Sequence, residues 1–91
     1  MRIYISAPYS KGDIAQNVRN AIDAGEQVSQ LGHYPYVPHL MHFWHLIYSK
    51  SQEDWLTIGS EFIPVCDAVL RLPGESKGAD LEVWQAKKLG I

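Results

Sequence analysis

Three short runs of residues that favour extended backbone, each followed by a turn and a stretch with helical spacing, constrain this chain most. The first run is Arg2 to Ser6, built on Ile3-Tyr4-Ile5 and closed by Pro8. The second is His33 to Val37, ended by Pro38, and the third is Ala68 to Leu72, ended by Pro73. Between the first two, Ile14, Val18, Ala21, Ile22 and Val28 recur at helical spacing. Asp13, with Gln16 three residues on, forms a capping-box pattern, and Gly32 after Leu31 is a C-terminal stop. Ser51 to Val65 reads as a second long helix, with Glu53 and Asp54 suited to its first turn, and Ala79 to Leu89 as a third, stopped by Gly90. The segment His39 to Ser49 has no clear period and reads as loop or short helix. Trp55 and Trp84 read as core residues.

Strands that alternate with helices imply βαβ units and a parallel sheet. The expected fold is therefore α/β, three-layered, with residues 1–91 as a single domain. Three strands make a thin sheet, and a fourth would begin near Ile91. It is expected to be missing, very short or supplied by a partner.

Composition narrows the function. The formal net charge is −2 and there is no basic run, which argues against a nucleic-acid polymer as partner. No apolar stretch approaches the ~20 residues needed to span a bilayer, and the first residues lack the apolar segment of a signal peptide. Cys66 is the single cysteine, so no internal disulfide forms, and a reducing compartment, the cytoplasm, is expected. A chain this short buries a limited share of its surface, which favours a homodimer or higher homo-oligomer.

Ligands of open parallel sheets bind beyond the carboxyl ends of the strands. Those ends carry the loops Ser6 to Gly12, Pro38 to Trp44 and Pro73 to Gly78. The first and third are rich in hydroxyl and glycine residues and lead into helices, whose free amides favour anions. Ser10 with Lys11, and Ser76 with Gly78, are candidate phosphate contacts; plain turns with caps are the alternative. Ser6, Pro8, Ser10, His39, His42, Ser76 and Gly78 are the candidate substrate-binding residues. Glu82 lies three residues after Ala79 and four before Ala86, at the edge of the stripe of the last helix that faces the sheet. A carboxylate there is costly unless paired or used, the alternative being an edge glutamate in water. His39, His42 and His45 are spaced three apart, but neither a partner cysteine nor an HExxH pattern accompanies them. They read as pocket lining among Phe43, Trp44 and Tyr48, whose faces could stack on a base. No metal or cofactor is expected.

Ile3-Tyr4-Ile5-Ser6, Cys66-Asp67-Ala68-Val69-Leu70 and Ser76-Lys77-Gly78-Ala79-Asp80-Leu81-Glu82 together resemble the nucleoside 2-deoxyribosyltransferase-like superfamily, in particular its small uncharacterised members. The resemblance covers nearly the whole chain. It implies a flavodoxin-like or Rossmann-like fold, a homo-oligomer with shared pockets, and cleavage or exchange of the N-glycosidic bond of a nucleoside or nucleotide. It makes Glu82 the nucleophile and Tyr4 its hydrogen-bonding partner near the sugar. Serine at position 76 implies a 5′-phosphate and hydrolysis rather than transfer. One position departs from the pattern: an aspartate that assists the departing base is replaced by Gly59. The expected function is that of a nucleoside 5′-monophosphate N-glycosidase. The alternatives are a non-catalytic nucleotide-binding module that has lost the acid at Gly59, and a purely structural domain.

Overall fold

In the computed structural model, which describes residues 1–91, the first extended run becomes β1 (Arg2–Ser6), at the centre of a three-stranded sheet. The remaining elements are α1 (Ile14–Gln30), β2 (Tyr34–Tyr36), α2 (His42–Ile47), α3 (Gln52–Ser60), β3 (Ala68–Arg71) and α4 (Lys77–Lys88). Single 3-10 turns occupy Pro38–Met41 and Ile63–Val65. The strand order is β2-β1-β3, all parallel, with Tyr4 in register with both Tyr36 and Val69. This is the α/β fold that the alternation of runs predicts.

Alternation along β1 divides the interior in two, as expected for a strand covered on both faces. Ile3, Ile5 and Ala7 pack under α1 with Ala21 and Val28, while Tyr4 points to the other face with Ile63, Cys66 and Ala86 of α4. A Cβ on Gly25 of α1 would lie 2.7 Å from Val37 Cγ2, so the helix rests on the segment after β2 at a distance that only glycine allows. Fourteen of the 91 residues are buried, which leaves apolar side chains such as Phe43 and Ile47 of α2 facing out at 74% and 75% exposure. No helix is long and apolar enough to cross a membrane.

The chain departs from the sequence reading in several places. β2 loses one residue at each end relative to His33–Val37, and Pro35, which has no N–H, is accommodated because β2 is an edge strand. β3 stops at Arg71, although Leu72 N still donates to Ser6 O at 2.8 Å. The helix expected over Ser51–Val65 starts as predicted, with the Ser51 hydroxyl accepting from Asp54 N, but it ends at Ser60. Its remainder becomes the 3-10 turn around Pro64, which cannot donate to continue an α-helix. α4 begins two residues earlier than expected, because the Ser76 hydroxyl caps Ala79 N at 3.1 Å. In α1 the Asp13 cap forms, but Gln16 turns its amide to Asn20 instead of closing the box, and Ile14 and Ile22 lie outside the core. Trp84 is not core either: it is 58% exposed, with the Lys88 ammonium 4.7 Å from its ring centre.

Candidate active site

The strand order reverses direction between β1 and β3, and in sheets of this kind the crevice opens at that switch. A cavity of about 450 Å³ lies there, walled by the loop after β1, the Pro38–Met41 turn, α2, α3 and the start of α4. Glu82, one turn into α4, reaches back to β1. Its Oε2 accepts a short hydrogen bond from the Tyr4 hydroxyl, and its Oε1 lies 2.8 Å from Ser6 Oγ. Ser6 Oγ is also 3.2 Å from Ala79 O; with one hydroxyl hydrogen to give, the closer and charged acceptor takes it.

Burial pushes the Glu82 carboxyl above the usual carboxylate range, while the bonds from Tyr4 and Ser6 and the Arg71 guanidinium pull it back. The Tyr4 phenol is driven far above its ordinary value by burial and by the Glu82 charge, so it stays a donor. Its ring is fixed in a stack: Tyr36 lies 5.5 Å away at 25°, and Phe62 lies 4.8 Å beyond Tyr36 at 15°. The buried Tyr36 hydroxyl has no hydrogen-bond partner. Arg71 ties the turn before α4 together, donating to Leu72 O, to Gly74 O at 2.8 Å and to Asp80 Oδ1 at 3.0 Å.

The opposite wall is organised by Tyr9. Its ring meets His39, His42 and His45 edge-on at centroid distances of 5.5, 5.7 and 6.5 Å. Each imidazole has a different partner. His39 is buried, its Nε2 donates to Pro8 O at 2.8 Å, and burial lowers its pKa, so it is neutral. His45 Nδ1 accepts from Trp55 Nε1 at 2.8 Å and from Lys50 N at 3.2 Å. His42 Nδ1 lies 2.5 Å from the Tyr9 hydroxyl, whose own pKa is raised by burial. At the mouth, Lys11 and Glu75 form a 2.8 Å ion pair between the first and third strand-end loops.

Of the residues singled out from sequence, Glu82, Tyr4, Ser10, His39, His42, Ser76 and Gly78 line this cavity. Ser6 and Pro8 do not. Ser6 is fully buried behind Glu82, and Pro8 carries the carbonyl that holds His39 and packs against Gly74. Phe43, Trp44 and Tyr48, expected to offer faces to a base, point out of the cavity; Tyr9 and Trp55 are the large aromatics beside its histidines. Trp55 is thus wall rather than core. His45 lines the cavity as its spacing with His39 and His42 predicts, whereas Tyr9 and Trp55 escape the sequence reading: a lone tyrosine in a turn carries no periodic signal, and a tryptophan inside a helical run reads as core. Gly59 is buried against the Tyr4 hydroxyl, and Glu75 is the one carboxylate besides Glu82 on the wall.

A search of curated proteins finds no match. Among solved structures, a 2-deoxyribosyltransferase from the psychrotolerant bacterium Bacillus psychrosaccharolyticus, described as a biocatalyst for the synthesis of antiviral and antitumoral nucleosides, has the same fold. The two superpose with a TM-score of 0.68 at 18% identity, over 99% of this chain and 67% of that one. The likeness is one of fold, and it is the fold that the sequence resemblance implied. A family model described as a domain of unknown function, DUF7768, matches residues 1–91 from end to end, and the chain belongs to that family.

Proposed function

We propose that this chain cleaves the N-glycosidic bond of a nucleoside 5′-monophosphate, with Glu82 as nucleophile. The observation that carries this is the partly buried Glu82 carboxylate, oriented by Tyr4 and Ser6 and opening on a cavity within the ~300–1,000 Å³ span typical of small-molecule sites. A carboxylate oxygen attacks the anomeric carbon, the bond to the base breaks with its electron pair going to the base, and a glycosyl ester forms. Water then adds at the same carbon, releasing sugar phosphate and the carboxylate; a second base in place of water would give exchange. Tyr4 holds one oxygen while the other reacts. The amides of Lys77 and Gly78, at the start of α4 and without intrahelical partners, suit the 5′-phosphate. The Tyr9 and His42 wall suits the base. The exposed apolar residues of α2 favour a homo-oligomer as the working form.

A non-catalytic nucleotide-binding module is the alternative, favoured by the lack of a second buried carboxylate on the wall. Incubation with deoxynucleoside and ribonucleoside 5′-monophosphates separates the two. Free base released by wild type and not by Glu82→Ala is the expected result. Thermal stabilisation by nucleotide with no base released would replace catalysis by binding. Neither effect would leave a structural domain.

A further inference from the structure

Cleavage by Glu82 has a second requirement. A base that leaves with the bonding pair is a poor leaving group unless a proton reaches its ring, and such help is worth ~10²–10⁴-fold. The cavity wall offers few groups that could supply it. Glu82 is engaged as nucleophile, and the Tyr4 hydroxyl is committed to it. Glu75 is at the exposed mouth, paired with Lys11. The Lys50 ammonium lies over the Trp44 ring, 5.6 Å from its centre, and Lys77 is exposed on the first residue of α4.

The three histidines are not equivalent. His39 is buried and neutral, with its Nε2 hydrogen given to the Pro8 carbonyl. His45 presents Nδ1 to two N–H donors, Trp55 Nε1 and Lys50 N, so protonating Nδ1 would break both bonds. His42 faces a hydroxyl instead. Tyr9 can donate to Nδ1 of neutral His42 and accept from Nδ1–H of the imidazolium, so this pair keeps its 2.5 Å bond in both charge states. Nε2 remains as the position from which a proton can be passed.

We propose that His42, oriented by the Tyr9 hydroxyl, is the proton donor to the departing base in the reaction proposed above, on which this inference rests. His42 Nε2–H passes its proton to a ring nitrogen of the base as the glycosidic bond breaks, leaving neutral imidazole. In the second step Nε2 takes a proton from the attacking water while the oxygen bonds to the anomeric carbon and the ester bond to Glu82 breaks. The imidazolium is restored and the cycle closes. Tyr9 is a positioning residue that acts through His42. Besides Tyr9, the titratable groups around His42 are His39 and His45 on its own segment and, across the cavity, Tyr4, Lys11, Lys50, Glu75, Lys77 and Glu82.

The test measures base release from the four common deoxynucleoside 5′-monophosphates, with pH profiles on whichever is cleaved fastest. His42→Gln is expected to lower kcat by ~10²–10⁴-fold with KM changed far less, and its residual rate is expected to lack the alkaline limb of the wild-type profile. Tyr9→Phe is expected to lower kcat in wild type and to add nothing in the His42→Gln background. Thermal unfolding of each variant confirms that it is folded. A loss below about threefold, or a loss with the alkaline limb intact, would overturn the role of His42 while leaving Glu82-dependent cleavage standing. Absence of base release by wild type, or release that survives Glu82→Ala, would instead overturn the underlying glycosidase proposal.

Discussion

A β-carbon on Gly59 would lie 2.6 Å from Tyr4 Oη and 3.5 Å from Glu82 Oε2. The glycine on α3 and the tyrosine on β1 therefore share one small space, and the hydroxyl that holds Glu82 fills it. Gly59→Ala is expected to push the phenol off the carboxylate. The expected cost is ~1–3 kcal/mol of stability from overpacking, read as a lowered Tm, together with a loss of whatever activity depends on Glu82. Gly59→Asp, which adds a charge to the same space, is expected to be worse on both counts.

Tyr4→Phe removes a donor that lowers the Glu82 pKa, so that pKa rises further above its ordinary 4.5. If the ionised carboxylate is the nucleophile, the acid limb of the rate profile moves to higher pH. A rate profile of the variant checks this, and an unmoved limb would detach Glu82 from the chemistry.

Glu82 also links pH to stability. Its folded-state pKa is raised, so the folded chain binds the proton more tightly than the unfolded chain. The stability this contributes is complete below 4.5 and is lost as pH rises through the folded value. Glu82→Gln, which carries no such charge, is expected to match wild type at acid pH and to gain on it towards neutrality, measured as Tm against pH. If Glu82 is the nucleophile proposed above, this is the usual exchange of stability for function.

His39 has the opposite dependence. Burial lowers its folded pKa below 6.5, so the stability tied to its neutral form is present above pH 6.5 and is lost as pH falls towards the folded value. His39→Ala leaves the Pro8 carbonyl without its donor, an expected loss of ~1–3 kcal/mol. The variant is also expected to show a flatter stability curve below pH 6.5.

Tyr36→Phe removes a buried hydroxyl that has no partner, while keeping the ring between Tyr4 and Phe62. An unsatisfied buried group costs ~1–3 kcal/mol, so the variant is expected to be at least as stable as wild type. A clear fall in Tm would mean that the hydroxyl has a partner.

Where the physics is local, the sequence was readable. Arg2–Ser6 is a strand because its own residues favour one, and Asp13, Ser51 and the glycine stops place helix ends through their immediate neighbours. Glu82 could be singled out because helical spacing puts it beside Ala79 and Ala86. Failures lie where distant segments meet. Ser6 reads as a loop ligand until α4 folds over it and takes its hydroxyl for Glu82. Tyr9 becomes the centre of a wall only when the Pro38–Met41 turn and α2 together bring three imidazoles around it, and Trp84 misleads because size alone suggests burial while Lys88 covers its face.

The period of two along β1 has a last consequence. Ile3 and Ile5 serve one side of the sheet, and Tyr4 and Ser6 serve the other. Slippage of this strand by a single residue would deliver isoleucine to the carboxylate and a phenol to the wrong layer. Correct pairing and assembly of the Tyr4–Ser6–Glu82 cluster are therefore the same event: a molecule misaligned at its central strand would lack that arrangement even if it stayed soluble.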